Sequence, residues 1–236
     1  MLNFENKDEH LFSIVKNYQL YEILKKSLNK NKYFNEVNLK KEFVSFDNYD
    51  LVINCNYSNS ITKKFFSKKV KKKYNSFAYT TIIKHEKISN NVATQVFTKR
   101  GPLAFLPISN NETSIVYSLR NSKDLKNEEI LNLINKYNFK YKINKIGKME
   151  RFELESFSLR HYYHKNILAF GDLLHRIHPL AGQGFNMTIR DINILTNIFV
   201  EKIDLGLPID SSVNREFEKK FKHKNYIFSN SVDLIH

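Results

Sequence analysis

Apolar residues recur at helical spacing near the start of the chain and again towards its end. Seven of them predict an amphipathic helix over residues 11–29: Leu11, Ile14, Val15, Tyr18, Tyr21, Leu24 and Leu28. A second such pattern, with Ile189, Ile192, Leu195 and Phe199 on one face, predicts a long helix over 183–203. A shorter helix is predicted over 127–138.

Between these helices the pattern changes to short apolar runs that are separated by polar turns. Residues 49–55 and 166–172 are typical of buried strands, and 149–160 of a further strand. Four β-prone segments between residues 76 and 119 predict an antiparallel sheet. The order of elements therefore predicts an α/β protein with an antiparallel subdomain between residues 62 and 160.

Composition narrows the functional classes. The chain has 236 residues, 42% hydrophobic, with a formal net charge of +14. Its lysines are spread along the chain, which favours ordinary solvated faces over a nucleic-acid site, and no nucleic-acid motif occurs. The densest basic run, Lys63 to Lys73, is the one place where the sequence favours a basic surface patch.

One cysteine, Cys55, excludes an internal disulfide and fits a reducing compartment. We interpret it as a packing residue of a buried strand. His175 and His178 lack clustered cysteines or carboxylates, so we expect no metal site. The first residues show neither a basic stretch followed by an apolar core nor a cleavage-like site, so we expect no secretory signal. No run of about 18 apolar residues, as a membrane-spanning helix needs, occurs in the sequence.

The glycines of the chain are concentrated at one place. Of only six, three fall between Gly171 and Gly184. There a predicted strand ends in Gly171-Asp172 and a predicted helix opens with Gly182-Gln183-Gly184. The start of such a helix presents unpaired backbone N–H groups and the positive end of its dipole, which favour an electron-rich ligand. Asp172, at the carboxyl end of a strand, is well placed to accept hydrogen bonds from ligand hydroxyls.

This stretch resembles the second FAD-binding motif of the FAD-dependent aromatic hydroxylases. The matching residues are Gly171-Asp172-Leu173-Leu174-His175, Pro179, Gly182-Gln183-Gly184-Phe185-Asn186 and Asp191. Two further segments are similar to the ubiquinone-biosynthesis type within that family. Residues 92–119 resemble its substrate-domain sheet, and residues 49–64 resemble its D-L-V-x-G-A-D-G-x-x-S-x-x-R segment. Helix-forming residues 13–24 are similar to the helix before that segment.

The resemblance implies a cofactor site and a reaction. Asp172 would bind the ribityl hydroxyls of FAD, and Pro179 would lie near the isoalloxazine ring. Gly182, Gln183, Gly184, Phe185 and Asn186 would present backbone N–H groups to the pyrimidine end of the flavin. The implied reaction uses NAD(P)H and O2 to hydroxylate a prenylated phenol on the route to ubiquinone, without a catalytic side chain or a metal.

The resemblance also implies a fold. We expect a partial doubly wound FAD-binding domain at residues 1–61 and 161–236, with an inserted substrate domain at 62–160. The N-terminal βαβ unit with its G-x-G-x-x-G turn is missing, since Gly101 is the first glycine, and the chain stops inside an expected helical region. Where the family has A-D-G, this chain has Cys55-Asn56-Tyr57.

These departures leave alternatives open. The chain is either an active hydroxylase, of a prenylated phenol or of another aromatic substrate, or an inactive or split fragment. A split fragment would need a partner chain that supplies the N-terminal unit. We expect a cytoplasmic protein, and a lipophilic substrate would favour peripheral contact with the inner membrane surface.

Overall fold

The computed structural model describes residues 11–37, 46–120, 125–176 and 183–222, and every structural statement below concerns these residues. The chain divides into two compact units. The first unit comprises Met1–Lys40 and Asn75–Glu153, and the second comprises Lys41–Tyr74 and Leu154–His236. The domain limits predicted at residues 61 and 160 differ from this division and stay a prediction.

The described residues contain both helices and strands. The helices are α1 (Asn17–Leu28), α2 (Ser60–Phe65), α3 (Asn127–Tyr137), α4 (Gln183–Asp204) and α5 (211–222). The strands are β1 (Val52–Asn54), β2 (Lys69–His85), β3 (Thr94–Thr98), β4 (Gly101–Ser109), β5 (Glu112–Arg120), β6 (Ile143–Ile146), β7 (Glu150–Leu159), β8 (Tyr163–His164), β9 (Ile167–Ala169) and β10 (His175–Arg176). The strands include two consecutive runs, β2 to β5 and β6 to β10. Short 3-10 turns cover Phe46–Asn48 and Gly171–Leu173.

The first unit contains the predicted antiparallel sheet, in which β2, β5, β4 and β3 neighbour one another in that order and β6 also pairs with β2. Side chains alternate between the two faces of a strand, so Ile115, Tyr117 and Leu119 of β5 share one face, where none of the three is exposed. Ile130 and Ile134 of α3 pack into the same core. Strand β2 begins earlier than the segments at 76–119 suggested, and it runs from the second unit into the first.

Helix α1 is present but shorter than predicted, and none of its residues is buried. Tyr18, Tyr21 and Leu24 on its apolar face are each more than half exposed. Just before the helix, Lys16 forms an ion pair of 2.7 Å with Glu112 at the start of β5. The apolar periodicity therefore predicted the helix correctly, whereas the described residues leave most of its apolar face exposed.

The second unit contains a small three-stranded sheet in the order β1-β9-β8. Strands β1 and β9 are parallel, with Val52 opposite Ile167 and Asn54 opposite Ala169. All three residues of β9 are buried, as the continuous apolar run at 166–172 predicted. Leu195 and Ile198 of α4 and Phe217 of α5 pack against this strand in one core.

Candidate functional site

The carboxyl ends of β1 and β9 lie at the same edge of the small sheet, because the two strands are parallel. One hydrogen bond joins them there, from the backbone N–H of Phe170 to the carbonyl oxygen of Asn54, at 3.0 Å. The loop after β1 and the turn after β9 therefore start from neighbouring points. In open α/β sheets this edge is where ligands bind.

The turn after β9 presents Asp172 to solvent. Gly171 has a φ of +62°, a left-handed conformation that glycine adopts without the steric cost of a side chain. Leu173 and Leu174 on the far side of the turn are fully buried and anchor it. Asp172, between Gly171 and Leu173, is exposed, and no hydrogen bond or ion pair involves its carboxylate within the described part of the chain. The turn thus exposes the Asp172 carboxylate, which can accept hydrogen bonds from a ligand.

Helix α4 contacts this turn. Its first residues are Gln183, Gly184, Phe185 and Asn186, and the side chains of Phe185 and Asn186 are exposed. The first N–H groups of a helix have no partner inside the helix, and they sit at the positive end of its dipole. One turn further on, Met187 and Asp191 are buried and fix the helix to the unit. Pro179 and Gly182, which the motif also assigns to the site, lie outside the described residues, as does His178.

The backbone at two glycines of the motif is not crowded by described atoms, although Gly171 is buried and Gly184 is half-buried. A Cβ added at Gly171 or at Gly184 would meet no atom within 4 Å among the described residues. Neither glycine is therefore required by packing against the described chain. Open space in front of a glycine backbone is what close approach of a ligand needs.

The loop after β1 is held by a cluster of asparagines that the sequence analysis did not foresee. Asn54, 4% exposed, donates to Thr62 Oγ1 at 2.9 Å and accepts from Asn59 Nδ2 at 2.8 Å. Asn56 Oδ1 accepts from the backbone N–H groups of Ser58 and Asn59, at 2.9 and 3.1 Å. An amide oxygen and a carboxylate oxygen are both acceptors, so Asn56 can order this turn without a carboxylate.

We call Cys55-Asn56-Tyr57 the altered triplet, because the resembling family has A-D-G at these positions. Its other two residues, Cys55 and Tyr57, have surroundings that the sequence did not predict. Cys55 is exposed, because β1 ends at Asn54, so our interpretation of it as a buried packing residue was wrong. Tyr57 lies at a ring-centroid distance of 5.6 Å from Phe157 of β7. An aromatic ring thus stands where the resembling family has a glycine.

Comparison with known proteins identifies the family. Residues 56–204 match the family described as FAD binding domain. This match covers more than half of the chain, and the chain belongs to that family.

Curated relatives agree with this assignment. The chain is 30% identical over 148 residues to the 3-demethoxyubiquinol 3-hydroxylase of Escherichia coli, with 59% of this chain and 38% of that protein covered. It is 26% identical over 180 residues to the mitochondrial ubiquinone biosynthesis monooxygenase COQ6 of Danio rerio, with 59% and 37% covered. The match thus spans less than two fifths of the length of each of these two relatives.

Solved structures support the fold alone. The myxobacterial chondrochloren halogenase CndH, an FAD-dependent halogenase, superposes with a TM-score of 0.61 at 12% identity. The superposition covers 78% of this chain and 46% of that one. The expected FAD-binding α/β fold with an antiparallel sheet region is confirmed.

The residues of the described site fit the flavin that the family name implies. The site offers an exposed carboxylate for ligand hydroxyls, backbone donors at a helix start, and an uncrowded, half-buried backbone at Gly184. Within the described ranges, no three His, Cys, Asp or Glu side chains are placed to hold a metal ion. Nor does any helix in those ranges have the length and apolar character needed to cross a bilayer.

Proposed function

We propose that this chain is the part of an FAD-dependent monooxygenase that contacts the flavin. The enzyme would hydroxylate the aromatic ring of a prenylated phenol in ubiquinone biosynthesis. One observation carries the proposal. Asp172 is exposed at the edge of the sheet where the parallel strands β1 and β9 end, and α4, which has Gly184 in its first turn, contacts the turn that holds Asp172. The names of the two curated relatives support the substrate class.

The residues of the site would hold the cofactor by two kinds of contact. Asp172 would accept hydrogen bonds from the ribityl hydroxyls, and the N–H groups at the start of α4 would face the electron-rich edge of the ring system. Gly184 would let that edge approach the backbone closely. FAD when bound supplies the redox chemistry, which takes electrons from NAD(P)H and transfers one oxygen atom of O2 to the substrate ring.

The flavin contact can be tested by titrating the chain with FAD and following the quenching of flavin fluorescence. Hydrogen bonds to a charged group contribute about 1.5–3 kcal/mol, so Asp172→Ala should weaken FAD binding by roughly 10- to 100-fold. Asp204→Ala, an exposed carboxylate at the other end of α4, is the matched control and should leave the affinity unchanged. Equal affinities of the Asp172→Ala and unmodified chains would show that the site assignment is wrong.

The reaction is tested by supplying FAD, NADH or NADPH, O2 and a prenylated phenol, with mass spectrometry of the product. A gain of one oxygen atom on the ring supports the proposal. A gain only with an unprenylated aromatic compound would instead support the related hydroxylase of another aromatic substrate.

We infer a second candidate, a non-catalytic or split component, from the exposed apolar face of α1. Tyr18, Tyr21 and Leu24 would be covered by a partner chain that supplies the remainder of the FAD-binding domain. Co-expression with a dinucleotide-binding βαβ unit should then yield a complex that binds FAD more tightly than this chain does. Tight FAD binding by this chain alone would argue against this candidate.

A further inference from the structure

Two cationic side chains of the second unit share one pair of aromatic rings. The ammonium nitrogen of Lys69, on β2, lies 3.9 Å from the ring centroid of Tyr57 and 4.8 Å from that of Phe157. The guanidinium carbon of Arg176, on β10, lies 5.7 Å and 5.6 Å from the same two centroids. We call Lys69, Arg176, Tyr57 and Phe157 the cation-aromatic cluster.

The strand register explains why these groups meet. Arg176 pairs with Phe157 across the antiparallel strands β10 and β7, and paired residues place their side chains on the same face of a sheet. Lys69 and Lys71 lie two residues apart on β2 and therefore also share a face. Phe157 is 3% exposed and forms the floor of the cluster, whereas Tyr57 is 40% exposed.

The cluster holds more positive than negative charge. Glu155 approaches Arg176 at 3.7 Å and is the carboxylate that the described residues place against the cluster. Burial lowers the pKa of Lys69, and the nearby charges of Lys71 and Arg176 lower it further, while Glu155 acts in the opposite direction. The chain contains no Asp or Glu from residue 51 to residue 85, so β2 brings no acid of its own.

An anion would relieve this repulsion. Arg offers a planar fork of donors that matches two oxygens of a phosphate, and Lys adds a point charge beside it. The rings hold both head groups in place, which reduces the entropy lost when a ligand binds. The exposed ring of Tyr57 gives an organic ligand an apolar surface next to its phosphate.

We propose that the cation-aromatic cluster binds the phosphate group of an organic ligand. The basic run that the sequence analysis singled out, Lys63 to Lys73, thereby acquires a specific role at Lys69. The phosphate has two possible sources, a free nucleotide-type compound and a phospholipid head group. The proposal does not depend on flavin binding, since none of the four residues was assigned to the flavin.

The first test measures the binding of inorganic pyrophosphate to the whole chain by calorimetry, at about 50 mM NaCl to limit screening. Lys69→Met keeps the apolar stem over Tyr57 and Phe157, and it should weaken binding about 5- to 10-fold. Lys72→Met is the matched control, because Lys72 lies on the opposite face of the same strand, over Tyr74. An equal loss in both variants would show general charge attraction and overturn the proposal.

A second measurement separates contact from an indirect effect on folding. Bound phosphate should raise the pKa of Lys69 back towards the ordinary lysine value, which NMR of the lysine Cε groups can follow. Lys69→Arg should retain most of the affinity. A Lys69 signal that does not respond to saturating pyrophosphate would overturn the proposal.

The two sources are distinguished with vesicles of phosphatidylcholine that contain about 30% phosphatidylglycerol. Flotation with the vesicles that is lost in Lys69→Met but kept in Lys72→Met would identify the lipid head group as the source. Pyrophosphate binding with the same dependence, but no flotation, would identify a free compound. Failure of both ligands to bind would refute the proposal.

Discussion

At the scale of single residues, the altered triplet after β1 shows how one turn can be built with different chemistry. Asn56 orders the turn through its amide oxygen, where the resembling family carries a carboxylate. Tyr57 places a ring where the family carries a glycine, and the ring is part of the cation-aromatic cluster. The sequence marked both positions as departures, but only the contacts reveal what the new side chains do.

A buried polar network in the first unit has residue-scale consequences for stability. His85, Asn90, Thr113 and Tyr141 are each at most 7% exposed. Thr113 Oγ1 lies 2.9 Å from both His85 Nε2 and Asn90 Nδ2, and Tyr141 donates to Asn90 Oδ1 at 3.0 Å. The Glu86 carbonyl can only accept, so His85 Nδ1 donates to it, and in the neutral ring Nε2 accepts from Thr113.

Replacing the hydroxyl of Thr113 should therefore be costly. Thr113→Val keeps the shape but leaves His85 Nε2 buried without its partner, and we expect the free energy of unfolding to fall by about 1–3 kcal/mol. Thr113→Ser keeps the hydroxyl and removes one methyl, which should cost about 0.8 kcal/mol. Urea unfolding of both variants measures the difference, and a Val variant as stable as the Ser variant would contradict this role.

At the scale of elements, α1 depends on a polar contact rather than on burial. The described residues bury none of its side chains, and the ion pair between Lys16 and Glu112 joins the residue before the helix to β5. Lys84 lies 3.6 Å from the same carboxylate. A hydrogen bond from Lys16 holds the pKa of Glu112 below its usual value, with burial opposing and the charges of Lys16 and Lys84 adding to the shift.

This pKa shift predicts how the attachment of α1 depends on pH. A carboxylate with a lowered pKa in the folded state contributes stability above its unfolded pKa of about 4.3, and this contribution is lost as the pH falls through the folded value. Hydrogen exchange of α1 should therefore accelerate as the pH falls below about 4, beyond the intrinsic change in exchange rate.

Variants of the two carboxylates near α1 check the assignment. Glu112→Gln should accelerate exchange in α1 at neutral pH and remove this pH dependence. Glu36→Gln is the control, since Glu36 is 64% exposed and pairs with Lys25 at 3.4 Å. If the two variants gave the same exchange rates in α1, the ion pair would not anchor the helix.

At the scale of the whole molecule, the excess of 38 basic over 24 acidic residues gives a net charge of +14. A charge of this size opposes the compact state through self-repulsion. Salt shortens the range of that repulsion, from about 30 Å at ~0.01 M to about 10 Å at ~0.1 M. The thermal unfolding midpoint should therefore rise between these two salt concentrations.

Sodium fluoride and sodium chloride should raise the midpoint equally, because screening does not depend on the identity of the anion. Sucrose at matched osmolality is the control for general solvent effects. A midpoint that stays constant or falls in both salts would mean that favourable ion pairs outweigh the repulsion.

The sequence by itself determined most of the elements and the family to which the chain belongs. Periodicities of two and of three to four residues follow directly from strand and helix geometry, so the antiparallel sheet was predicted, and α3 and α4 were predicted within a few residues. The glycines and Asp172 stand at fixed spacing within one short segment, which local reading can detect. The family assignment of that segment is confirmed by the match over residues 56–204.

Only the tertiary structure decided which distant residues meet. Lys69, Tyr57, Phe157 and Arg176 come from four separate segments, and strand register, which local periodicity does not specify, brings them together. The same holds for the exposed face of α1, because a helical pattern shows that a face is apolar but not what covers it. Pairing across the chain depends on long-range packing, and that information is not contained in any single stretch of residues.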